Sequence, residues 1–110
     1  MASLGIELSD AGLLAARADE AGAISLVPAT AAGGGDDWPA FAHAGEKGLV
    51  LGRAAEDQWF IHPRRVSWYC WSRLAHEPSG LSASGKSVAF SELAFFHLRD
   101  FTAAVRSASA

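Results

Sequence analysis

The chain has 110 residues, half of them apolar and 19% charged, with a formal net charge of −3. That is one small domain or a piece of a larger one, spanning 1–110, apolar enough to build a packed core. The acidic balance offers no field to a nucleic acid, the lone Cys70 cannot close an internal disulfide, and no apolar run approaches the ~18–20 residues that span a bilayer.

Ser3 to Ser9 alternates Leu4, Ile6 and Leu8 against Ser3, Gly5 and Glu7, the period of a strand. Asp10-Ala11-Gly12 supplies turn chemistry, and Leu13 to Ala18 and Ala23 to Val27 read as the next two strands of a meander that Pro28 ends. Ala31 to Asp37 is a small, glycine-rich loop. Trp38 to Ala44 fits a short strand that Pro39 confines to an edge, and Gly48 to Gly52 fits a buried strand.

From Arg53 the period changes. Arg53 to Phe60 reads as a short helix, broken at His62-Pro63, where a new helix can begin. Val66 to Ala75 is helical in pattern with two apolar stripes, so both sides of that helix need cover. His76 to Ser87 is a polar loop and Ser87 to Phe90 a brief strand. Ser91 is the expected N-cap of a helix running to about Arg106, with Phe90 and Phe95 as its hydrophobic staple and Ala94, Leu98, Phe101 and Val105 on its main stripe.

Three stretches, in order, resemble the opening of the heat-shock-70 chaperones and the wider actin-like ATPases. They are Gly5-Ile6-Glu7-Leu8-Ser9-Asp10, then Val50 to Gln58 ending at Pro63, then Gly85 to Leu93. The second is similar to the family's strand-to-helix segment, the third to its strand followed by a capped helix. The resemblance covers most of the chain, but only about the first quarter of a family nucleotide-binding domain. It implies an α/β fold, a short mixed sheet with about three helices (54–60, 64–75 and 91–106), as in the first subdomains of the actin fold. It also implies ATP and magnesium as ligands.

In the family, the first hairpin turn cradles the nucleotide phosphates, which needs small residues so that backbone N–H groups can approach, and a carboxylate for hydrated magnesium. By resemblance the phosphate positions are Gly5, Glu7, Ser9, Asp10 and Gly12, with Glu7 as the metal-side carboxylate. Ser9 stands where the family has glycine, and Asp10 where it has threonine. The family's catalytic lysine has no counterpart, because its place falls on Trp71 or Ser72. The resemblance thus implies the N-terminal segment of a chaperone-type ATPase that is incomplete and not active alone.

Two other function classes compete. The docking of a protein partner, or self-association, would use the aromatic helix through Trp68, Tyr69 and Trp71. Arg64-Arg65 beside these aromatics would also suit single-stranded nucleic acid, but core or interface packing is the better reading in an acidic chain. Gly80, Gly85, Lys86 and Ser87 satisfy the spacing of a phosphate loop, Gly-x4-Gly-Lys-Ser. That loop needs an apolar strand before it and a helix starting at the lysine, and the sequence favours a hairpin tip instead. The four histidines and Cys70 show no metal-ligand spacing, and Cys70 reads as a small buried hydrophobe. The N-terminus lacks the pattern of a signal peptide, so a cytoplasmic location and no membrane partner are expected.

Overall fold

In the computed structural model, residues 3–28 and 37–109 are described. The meander forms as its alternation dictates: β1 (Ser3–Ser9), β2 (Gly12–Ala18) and β3 (Ile24–Val27) pair antiparallel in that order. A two-residue strand, β4 (Asp37–Trp38), adds to β2 through Leu13↔Trp38. Pro39 divides the strand expected over 38–44, so β5 (Ala42–Gly45) belongs to a second sheet, between β6 (Gly48–Leu51) and β7 (Val66–Ser67). Strand β6 is an edge, half-buried where a buried strand was expected. The loop expected over 31–37 lies outside the described residues except for Asp37.

The fold is α/β, but among the described residues the strands make three separate antiparallel sheets rather than one mixed sheet. It has two α-helices among the described residues, not three. The first, α1, is Arg53–Glu56, shorter than the 54–60 expected, and a single 3-10 turn occupies Pro63–Arg65. No helix forms over 66–75. Val66 and Ser67 pair with β5, and the backbone that follows is spent on tertiary partners. One helical bond survives, from Arg73 N–H to the Tyr69 carbonyl at 3.2 Å. Aromatic and β-branched residues have modest helix propensity, and here packing decided against the helix.

The third sheet is a hairpin, β8 (Pro78–Ala83) with β9 (Lys86–Ala89), where the sequence suggested mostly loop. It leads directly into α2 (Phe90–Ser109). The cap lies two residues earlier than expected. Glu92 accepts from the Ala89 N–H at 3.0 Å, half of a capping box, while Ser91 is already inside the helix beside His76. The staple moves with it, to Val88 and Leu93 in one core cluster, and leaves Phe95 half exposed.

Helix α2 is the strut of the molecule. Its first half packs Phe90, Leu93 and Ala94 on the hairpin and second sheet, and its second half packs Phe101 and Val105 on Leu13, Ala15 and Val27 of the meander. Trp71 touches both clusters and joins them. No helix among the described residues is long and apolar enough to cross a membrane.

Candidate functional site

The β1–β2 turn is held from three sides. Ser9↔Gly12 closes the ladder, with Asp10 and Ala11 as the loop. Gly12 starts β2 directly over the Trp38–Pro39 backbone, and a Cβ there would lie 2.7 Å from the Trp38 carbonyl oxygen. Only glycine allows that approach. Trp38 in turn donates its Nε1–H to His97 Nδ1 at 3.0 Å, which places the histidine proton on Nε2. His97 is fully buried, and burial lowers its pKa to about 4, so the imidazole is neutral in the fold.

Asp10 carries the main contact. Its Oδ1 accepts from the Trp71 N–H at 3.1 Å and the Ser72 N–H at 3.2 Å, and its Oδ2 accepts from the Ser72 hydroxyl. A carboxylate with two N–H donors and a hydroxyl is well satisfied, and such charge-assisted bonds are the stronger class. Residues 61 and 62 positions apart in the chain are thereby clasped. Beside it, the buried Cys70 thiol is pushed up to about 12 by burial and by the Asp10 charge. It is a packed hydrophobe rather than a nucleophile.

The other expected phosphate residues are less engaged. Glu7 is exposed on β1, with no hydrogen bond or ion pair to another described residue. Gly5 lies mid-strand, where a Cβ would meet only the Ala16 carbonyl at 4.0 Å, so nothing there demands glycine. Ser9 donates weakly to the Gly12 carbonyl at 3.4 Å. No group of three or more histidine, cysteine or carboxylate side chains gathers among the described residues.

The competing motifs are also placed. Ser84 (φ 52°) and Gly85 (φ 77°) form the tight turn of the β8–β9 hairpin, and Lys86 and Ser87 are exposed on β9. Positive φ at both central residues is the signature of a hairpin turn. No helix begins at Lys86, so the context of a phosphate loop is not formed. Of the aromatic trio, Trp68 is 40% exposed, whereas Tyr69 and Trp71 are half-buried in core contacts. The trio lies on a loop instead of one helix face.

Sequence reasoning missed the Trp38–His97 bond and the Asp10 clasp. Both join distant segments, and only the placement of His97 beside the apolar stripe hinted at burial. A comparison with models of known protein families finds no match for this chain, and a comparison with curated proteins finds none.

Proposed function

We propose that the chain is the N-terminal segment of a heat-shock-70-like ATPase homologue, of the actin-like fold, in which the phosphate turn has become a structural clasp. One observation carries this reading. The resemblance assigns the Asp10 turn and the Trp71/Ser72 position, as phosphate loop and catalytic lysine, to one site, and these two positions are bonded to each other. Further support comes from the other two stretches. Val50 to Gln58 falls on the β6–α1 junction, and Gly85 to Leu93 on the β9–α2 junction, the element types that the resemblance implies. At the first junction Gly52 (φ +81°) would put a Cβ 3.2 Å from the Trp38 ring, which accounts for its glycine.

The chemistry of the site differs from the fold. The backbone N–H groups of Trp71 and Ser72 are taken by a carboxylate, and a negative side chain repels a triphosphate. The oxygens of Asp10 are turned to N–H and O–H donors, an arrangement opposite to that of a magnesium ligand. As they stand, these residues do not fit ATP or magnesium, and the reading is of a scaffold in a cytoplasmic protein that does not hydrolyse ATP by itself.

Superposition tests the family: the meander, the β6–α1 junction and the β9–α2 junction should superpose together on the opening of a heat-shock-70 nucleotide-binding domain. Failure of the three to superpose as one body would sink the reading. Magnesium-ATP titration by calorimetry tests the site, with no saturable heat expected. Binding lost in Lys86→Ala would move the function to the Gly80–Ser87 loop, and binding lost in Glu7→Gln would restore the turn as a phosphate site.

A second reading, self-association, is favoured by the edge strand β1. Leu4, Ile6 and Leu8 are each at least 42% exposed, and β1 pairs with β2 alone among the described residues. Antiparallel pairing of two copies about Ile6 would set Leu4 on Leu8, Ile6 on Ile6 and Glu7 on Gly5, opposing no like charges. In this reading the docking element is an edge strand instead of the helix expected at 66–75. Sedimentation of the wild type should then show a dimer that Ile6→Lys dissociates; a monomeric wild type excludes it.

A further inference from the structure

Apart from the clasp, the Pro63–Arg65 turn lies against β5 and β8 and borders a depression of ≈ 320 Å³. Arg64 and Arg65 both line it, together with Gly45, Gly80 and Ser82. Neither arginine makes an ion pair or side-chain hydrogen bond with another described residue, whereas Arg53, Arg73 and Arg99 are held against carboxylates or aromatic rings. The floor is shaped for access. Strand β8 bulges between the Pro78↔Ala89 and Leu81↔Val88 pairs, Gly80 has φ +90°, and nothing lies within 4 Å of the place its Cβ would take.

Two imidazoles lie beside the depression. His43, next to this end of β5, stacks on His62 with centroids 5.9 Å apart and planes 10° apart. Its Nε2 is buried with no hydrogen-bond partner. Burial, then His62 and Arg65, lower its pKa, so the charges that act on it are of its own sign. Glu46 and Lys47, in the β5–β6 turn, line an adjoining depression with His43 and carry opposite charges. In a chain of net charge −3, two guanidinium groups thus lie beside two imidazoles, and none of the four is bonded to a carboxylate of another described residue.

We propose that this depression binds a small phosphate monoester, with the guanidinium groups of Arg64 and Arg65 on its oxygens and the open Gly80 backbone beneath. Arginine forks match a tetrahedral dianion in geometry as well as charge. The site is independent of the Asp10 clasp and of the family reading.

The test is an amide NMR titration with glycerol 3-phosphate and, in a parallel arm, inorganic phosphate, at ionic strength held constant with chloride. Saturable shifts should appear at Gly45, Gly80 and Ser82, and binding should weaken by about tenfold or more in Arg64→Gln/Arg65→Gln. Lys86→Gln should leave it unchanged. Because both arginines are exposed, the double variant should melt with the wild type; if it melts early, Arg64→Gln alone should still show partial loss. Shifts reproduced by chloride, or unchanged in the arginine variants, overturn the proposal. Saturation by inorganic phosphate but not the ester, or tighter binding of a single-stranded oligonucleotide at the same amides, also overturns it.

Discussion

Two turns of this molecule carry phosphate-binding signatures, and they differ in what lies opposite them. The Asp10 turn is gripped by distant segments: Trp38 lies beneath Gly12, and the Trp71 and Ser72 N–H groups meet the Asp10 carboxylate. The Ser84-Gly85 turn projects, with Ser84, Gly85, Lys86 and Ser87 all exposed. Both are two-residue hairpin loops. The lesson is that a short pattern specifies a local backbone, whereas a site needs groups that arrive from elsewhere in the chain.

That difference can be broken experimentally, and the glycines make the widest contrast. Gly12→Ala should destabilise the fold by about 3 kcal/mol, because its Cβ meets backbone that cannot step aside. Acid should act on the same half through His97, whose folded pKa of about 4 lies below its ordinary value near 6.5. The neutral ring is favoured in the fold, so this stability is complete above pH 6.5 and is lost as pH falls from 6.5 towards 4. The loss is on the order of 3 kcal/mol, read by urea midpoints against pH, and it should vanish in His97→Gln.

Asp10→Ala should remove about 2 kcal/mol, since it strips a charged acceptor from two N–H groups and a hydroxyl. Amide exchange at Trp71 and Ser72 should quicken in that variant, and a variant as stable as wild type would show the clasp to be incidental. The projecting turn should respond least. Gly85→Ala should cost about 1 kcal/mol for its left-handed conformation, and Lys86→Ala should change the melting midpoint by less than about 0.5 kcal/mol in free-energy terms. A large effect at Lys86 would erase the contrast.

The elements were legible where one local rule governed. The alternation from Ser3 to Ser9 placed β1 at its observed bounds, and the stripe of Ala94, Leu98, Phe101 and Val105 placed α2. The segment 66–75 misled because its apolar residues fit a helix with two stripes. In the fold they serve separate neighbours: Cys70 packs in the hairpin cluster, Trp71 bridges both clusters, and Trp68 lies edge-on to Trp59 and Tyr69. Apolar spacing records burial, and it does not record whether one face or several directions receive it. The cap at Ala89 was missed for a related reason. Serine is the better cap by propensity, but continuity from β9 fixed where the helix starts.

By itself, then, the sequence determined the antiparallel meander, the long amphipathic helix and the hairpin tip, because backbone period and turn chemistry act over a few residues. The tertiary structure alone decided that Asp10 clasps Trp71 and Ser72, that His97 is a buried neutral partner of Trp38, and that Arg64 and Arg65 share one depression. Each of those facts depends on segments far apart in the chain, whose meeting is set by how α2 and Trp71 tie the sheets together.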